Sequence, residues 1–281
     1  IDIHKVFSSN DGGDLGTLIL QGYFTKLNSV KKHPSFFDDG DDSKFICRIC
    51  NFNMTIMDRG KLNLRIGHAE TPFGLEYNQD SNGTLRQYSN SRDLGNKLDW
   101  GIAANGKLPW GGYEVSLSRG VGVDWKNDTQ TYIVAGRVER SDGYSSYLGI
   151  SSFYGRLRSP SSSSTIIDRT RIGLDGSTQW KMFTFFGEVS AGTDDDTDRF
   201  TTLLEVDIQN SNEKLLGYLQ LKNTSLKPEH ESWDSSNQSS LGILFSPDNR
   251  WTLSGQWTHD YTQLNNATKN SMVELQIRSR F

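Results

Sequence analysis

A period of two constrains this chain more than any other feature. Residues 272–281 read Met-Val-Glu-Leu-Gln-Ile-Arg-Ser-Arg-Phe, with Val273, Leu275, Ile277 and Phe281 on one parity and Glu274, Gln276, Arg278 and Arg280 on the other. Side chains alternate faces along a strand, so this segment has one apolar face and one charged face. The pattern returns in Leu62, Leu64 and Ile66 against Lys61, Asn63 and Arg65, and in Leu98, Trp100 and Ile102 against Lys97 and Asp99. It also appears in Phe200, Leu204, Val206 and Ile208 against Arg199, Glu205 and Asp207. The i, i+3, i+4 spacing of an amphipathic helix is hard to find. Parity predicts about fourteen strands, near 15–27, 45–57, 61–70, 96–107, 112–121, 130–140, 144–156, 166–178, 180–192, 199–210, 213–225, 238–247, 250–261 and 270–281.

The predicted connections alternate in length. Short turns fall at 58–60, 109–111, 141–143, around Gln179, at 211–212 and at 247–249; longer polar segments lie at 28–44, 71–95, 122–129, 157–165, 193–198, 226–237 and 262–269. Such segregation characterises an outer-membrane barrel, whereas the connections of a soluble sandwich mix lengths at both ends. An even strand count then puts both termini on the short-turn side. Strands of about 10 to 13 residues also suffice to cross the hydrocarbon layer when tilted. Trp110, Tyr144, Trp180, Trp251 and Phe281 stand beside short turns or at the chain end, where an interfacial girdle needs them. The expected fold is therefore all-β, a transmembrane antiparallel up-and-down barrel of about fourteen strands, as one domain over residues 1–281.

Composition agrees once it is sorted by parity. Only 34% of the 281 residues are apolar and the mean hydropathy is -0.60. No run approaches the roughly 18 apolar residues of a spanning helix. The formal charge of -4, from 30 Lys and Arg against 34 Asp and Glu, gives no electrostatic reason to expect nucleic-acid binding. Ile1 at the start of the numbering suggests a processed mature end, which fits an exported protein.

Residues 61–76 contain Leu64-Arg65-Ile66-Gly67 followed by Pro72-Phe73-Gly74-Leu75-Glu76. This piece resembles a strand-to-loop segment of Gram-negative porins, especially the phosphate-selective porin O and P family. The terminal Phe281 on an alternating strand is similar to the signal read by the outer-membrane assembly machinery. The resemblance implies a bacterial outer-membrane location and a passive channel. That family has longer chains and sixteen strands, so its trimeric state and anion selectivity are not carried over.

If the apolar parity faces lipid, the other parity lines a lumen. The pore-lining candidates are Lys61, Arg65, Lys97, Asp99, Glu114, Arg137, Glu139, Arg169, Arg171, Glu205, Asp207, Glu274, Arg278 and Arg280. Arg65, Arg137, Arg169 and Arg171 are the candidates for solute contact, because a guanidinium keeps its charge and grips carboxylates or phosphates bidentately. Mixed signs predict weak ionic selectivity. Fourteen strands about 4.8 Å apart and tilted about 40° close at a radius of roughly 14 Å, wider than side chains need fill. The longest loop, 71–95, with Glu76, Asp80, Arg86 and Arg92, is the candidate constriction; lying over the mouth is the alternative.

Cys47-Arg48-Ile49-Cys50 is the only cysteine pair. Residues three apart in an extended strand lie about 10 Å from each other, too far for a disulfide, so bonding requires a bend. A local disulfide is favoured over two separate thiols or a redox role. Of His4, His33, His68, His230 and His259, only His259-Asp260 merits testing as an enzymatic pair, and adjacent strand residues point to opposite faces. The acidic runs 38–42 and 194–196 lack calcium-loop spacing, so no metal or cofactor is expected. The reading is a porin-like channel for small hydrophilic or ionic solutes, in contact with outer-membrane lipid and lipopolysaccharide. Alternatives are a barrel that scaffolds a partner such as an electron-transfer or secretion component, and a lipid- or peptide-processing barrel enzyme.

Overall fold

Alternating sequences of this kind have one way to satisfy every backbone group while keeping opposite faces distinct: antiparallel pairing of neighbours in chain order. The computed structural model describes residues 2–9, 13–26, 43–79, 84–88, 94–122, 130–142, 146–159, 162–248, 250–262 and 270–279. Its strands are β1 (Asp2–Ser8), β2 (Asp14–Lys26), β3 (Ser43–Met57), β4 (Leu62–Glu70), β5 (Leu98–Leu108), β6 (Gly111–Ser118), β7 (Tyr132–Ser141) and β8 (Ser146–Ser159). The second half supplies β9 (Ser162–Trp180), β10 (Phe183–Asp194), β11 (Thr197–Gln209), β12 (Leu215–Lys227), β13 (Asp234–Phe245), β14 (Trp251–Thr262) and β15 (Ser271–Ser279). All belong to one sheet whose order follows the chain from β1 to β15. The described residues form two compact units, one of residues 1–73, 90–140 and 150–171, the other of residues 74–89, 141–149 and 172–281.

The burial profile is inside out. Among the described residues, polar side chains outnumber apolar ones in the buried set, while Leu, Ile, Val and Phe dominate the exposed set. In the β10–β11 pair, Phe185↔Val206 and Gly187↔Leu204 lie on the exposed face, and Phe186↔Glu205, Glu188↔Leu203 and Ser190↔Thr201 lie on the buried one. Leu204 is 58% exposed and its neighbour Glu205 is 1% exposed, so the faces divide as parity requires. Trp110, Trp180 and Trp251 are exposed at the turn ends of β5–β6, β9 and β14. Tyr144 and Phe281 fall outside the described residues.

Three features differ from expectation. The described strands number fifteen, because residues 2–8 form β1, a strand that parity does not single out. Two of the connections expected to be long are short in sequence: residues 160–161 alone lie between β8 and β9, and residues 195–196 between β10 and β11. In β10–β11 the pairing reaches Asp194↔Thr197, since Asp and Thr satisfy the ladder through their backbones as well as apolar residues do. Finally, β9 runs through Gln179 to Trp180, and the turn falls one step later at Lys181, whose φ of 55° lies in the left-handed region.

Candidate functional site

Of the connection from β4 to β5, residues 71–79, 84–88 and 94–97 are described, and within each unit they meet side chains of the polar-parity face. Thr71 N–H donates to Lys97 O (2.9 Å) and Phe73 N–H to Thr71 O (2.8 Å), which turns the chain out of β4. Gly74 follows at φ 62°, ψ -167°, a conformation accessible essentially to glycine alone. A Cβ there would stand 2.5 Å from Glu188 Oε2 on β10, and that oxygen accepts the Leu75 N–H at 2.7 Å. The 3-10 turn Leu75–Tyr77 then buries Leu75 and Glu76.

In the second unit, Leu75 and Tyr88 pack with Phe186 and Leu203, and Tyr147 lies against them. Arg86 carries the electrostatics. Its Nη1 lies 3.0 Å from Glu205 Oε1 and its Nη2 2.9 Å from Asp207 Oδ2, both carboxylates on β11. Its guanidinium sits 4.8 Å over the Tyr218 ring. Tyr88 Oη donates to Glu205 Oε1 (3.1 Å), Gln220 Nε2 donates to Glu205 Oε2, and Gln87 N–H reaches Gln220 Oε1 (3.4 Å). Burial alone would lower the Arg86 guanidinium, but Glu205, Tyr88 and Asp207 hold it above its ordinary value. Burial, and then the Glu205 charge, push the Tyr88 phenol well above the usual tyrosine range. Beyond Arg86, Tyr218 Oη donates to Gln256 Oε1 (2.5 Å), and Gln256 Nε2 donates to Glu274 Oε2 (3.3 Å).

In the first unit, Phe73 and Leu94 pack against Ile133, Ala135, Phe153 and Leu157. The Phe73 and Phe153 rings meet edge to face at 6.4 Å, and Arg169 donates to Leu94 O. Asp99 gathers the β6–β7 connection, accepting N–H bonds from Gly120, Val121 (3.3 Å) and Gly122 (3.1 Å) as well as Trp100 (2.9 Å).

Most of the expected wall residues are thus already engaged. Arg65 pairs with Glu114, Arg137 with Glu139 (3.4 Å), and the buried Arg171 donates to Thr170 O (2.6 Å). The four arginines expected to meet solute therefore bond to the protein itself. Lys61 is exposed in the turn that caps Asp58–Gly60, ahead of β4 rather than on it. Lys97 is buried at the bend before β5 rather than on a strand. Arg278 is half-buried on β15. Asp80, Arg92 and Arg280 lie outside the described residues, as do His33 and the 38–42 run.

The structure joins Cys47 to Cys50, with Cα atoms 6.3 Å apart. His259 Nδ1 contacts Ser271 Oγ (2.7 Å), whereas Asp260 accepts from Gln238 Nε2 (2.8 Å), so the two side chains engage different partners. Within the 194–196 run, Asp194 pairs with Arg199 at 3.6 Å.

Glu188, Tyr88, Tyr218, Gln220 and Gln256 were not singled out by sequence. A signal for their neighbourhood exists. Ile133-Val134-Ala135, Phe153-Tyr154, Phe185-Phe186 and Leu203-Leu204 are apolar on both parities, and the second apolar residue marks where the connection docks.

No family model and no curated protein matches the chain. Solved structures do. An anion-selective porin from Comamonas acidovorans superposes with a TM-score of 0.67 at 15% identity, over 98% of this chain and 87% of that one. A loop-deletion form of OmpT, an outer-membrane protein of Vibrio cholerae, gives 0.65 at 11% identity over 98% and 87%. The outer-membrane channel DcaP of Acinetobacter baumannii gives 0.63 at 10% over 100% and 83%. This chain has the fold of the bacterial outer-membrane β-barrels, the fold of porins and channels.

Proposed function

We propose that the chain is a porin-like, non-catalytic channel of the bacterial outer membrane, a single barrel domain that passes small hydrophilic solutes by diffusion. The observation that carries this is the seating, within the second unit, of Arg86 on Glu205 and Asp207 and of Leu75 on Glu188, all on the polar face. In a barrel fold that face is the lumen, so a segment fixed there narrows the bore. The resemblance of residues 61–76 to phosphate-selective porins supports the same reading, since Gly74 and Leu75 are the residues that enter the seat.

Selectivity is weak in this account. Among the described residues, Arg65, Arg86 and Arg137 meet carboxylates and Arg169 meets a backbone carbonyl, which offsets the positive charge these four would otherwise offer to anions. The exposed apolar face contacts outer-membrane lipid and lipopolysaccharide, and Phe281 serves the assembly machinery. Liposome swelling tests the proposal. Vesicles carrying the folded protein should swell in small sugars at rates that fall steeply with solute size, and an absence of swelling in every solute would overturn it.

A further inference from the structure

The β2–β3 pairing contains one irregularity. From Gly16↔Met54 to Gln21↔Ile49 the partners advance one for one; then Gly22 pairs with Cys47, leaving Arg48 as an extra residue. One extra residue is a β-bulge, and it switches which parity of the strand faces which way. On the turn side of the bulge, Cys50 shares its parity with Phe52 and Met54; on the loop side, Cys47 shares its parity with Phe45. Met54 and Phe45 are both exposed, so both cysteines belong to the apolar face. Phe45 then lies opposite Phe24 with ring centroids 5.1 Å apart. The bulge also brings the two cysteines within bonding range, which an unbulged strand would not do.

Hydrophobic pattern alone does not choose this register. Without the bulge, the pairing of Gln21 with Ile49 would continue as Phe24 opposite Ile46 and Thr25 opposite Phe45. An apolar residue faces Phe24 either way, and a register so weakly specified slips. Two devices select the bulged form. One is the disulfide. The other is His68 on β4, fully buried, whose Nδ1–H donates to the Arg48 carbonyl, with its ring 5.0 Å from that of Trp100. The Arg48 side chain adds bonds to Gln21 Oε1 (3.3 Å) and Glu70 Oε1 (3.5 Å).

We propose that the Cys47–Cys50 disulfide is a redox-sensitive register lock for the loop-side half of the β2–β3 hairpin, with His68 capping the carbonyl of the bulge. A dithiol opens the lock by thiol–disulfide exchange. One thiolate breaks the S–S bond to form a mixed disulfide and the second closes on it, leaving two protein thiols and an oxidised, cyclic dithiol. Two electrons and two protons pass to the protein.

Hydrogen exchange read by mass spectrometry on the folded full chain in detergent tests this, before and after dithiothreitol, with complete reduction verified by alkylation. Amides of residues 22–26 and 43–48 should exchange about tenfold or more faster after reduction, while Phe183–Gln209 stays unchanged. The double variant C47S/C50S should match the reduced protein, and H68A should loosen the same segments in the oxidised one. These arms are independent, since reduction needs no variant and the variant needs no reductant. Unchanged exchange at 22–26 and 43–48 in the reduced protein or in the double variant overturns the lock. So does a uniform rise along the whole chain, which would mean general destabilisation.

Discussion

Replacing Arg86 with Ala removes the cation that, among the described residues, pairs with both Glu205 and Asp207. The three side chains are 12%, 0% and 7% exposed, so neither carboxylate can turn to bulk water without moving the connection that covers it. Glu205 keeps its bonds from Tyr88 and Gln220, but Asp207 Oδ2 loses the guanidinium. Breaking a buried ion pair by deleting one partner costs about 3–5 kcal/mol, mostly from the charge left behind. The cost is relieved when the segment 84–88 lifts and water enters. At about 1.4 kcal/mol per factor of ten, the ratio of seated to lifted forms should fall roughly a hundred- to a few-thousand-fold. Planar-bilayer recording reads this as larger mean conductance and rapid current noise that the parent protein lacks. Arg86→Lys, which keeps the charge but not the two-pronged geometry, should fall between the two. Adding Glu205→Gln and Asp207→Asn to Arg86→Ala should restore quiet traces, because no charge is then buried unpaired. If Arg86→Ala conducts like the parent, with no added noise, then either the ion pairs do not hold the segment or the segment does not border the solute path.

Other consequences follow from single contacts. Gly74→Ala should lower stability by about 1–3 kcal/mol, because its backbone angles exclude a side chain and Glu188 Oε2 occupies the space; heat-modifiability on gels reads it. Gly217→Ala is the control, since its added Cβ meets nothing closer than Gly242 O at 4.0 Å. Asp99→Ala leaves the amides of Trp100, Gly120, Val121 and Gly122 without their carboxylate acceptor, about 1–3 kcal/mol in all, and should show as faster hydrogen exchange confined to those residues. Leu241→Arg, at a side chain 57% exposed on the apolar face, should destabilise the folded protein in lipid by about 2–4 kcal/mol at mid-depth; an unchanged unfolding midpoint in bilayers would contradict a lipid-facing assignment.

Parity made the faces legible because a strand has only two of them. Val273, Leu275 and Ile277 could be assigned from ten residues, and they are among the most exposed apolar side chains of the chain. The buried polar face, with Glu205 and Asp207 on it, was legible for the same reason. What the wall does was not, because whether Arg137 meets a solute or Glu139 depends on a register and a rotamer that spacing does not encode. The 71–97 connection was recognisable by its length and by Arg86, but its seat needed residues from β10, β11 and β12 that only folding assembles. Strand β1 escaped notice because Asp2–Ser8 is exposed on both parities, leaving no polar and apolar contrast to read. The short connections between β8 and β9 and between β10 and β11 escaped because Ser and Asp are loop-forming by composition yet pair through the backbone as readily as any residue.

The most direct test of the central claim is the single-channel behaviour of the unmodified protein. Folded chain, verified by its heat-modifiable mobility, should insert into a planar bilayer in discrete conducting steps, with cation and anion permeabilities within about threefold of each other because Arg65, Arg86 and Arg137 each pair with a carboxylate. Folded protein that inserts without conducting would contradict the channel, and a strong preference for one sign of ion would contradict the paired wall on which the account depends.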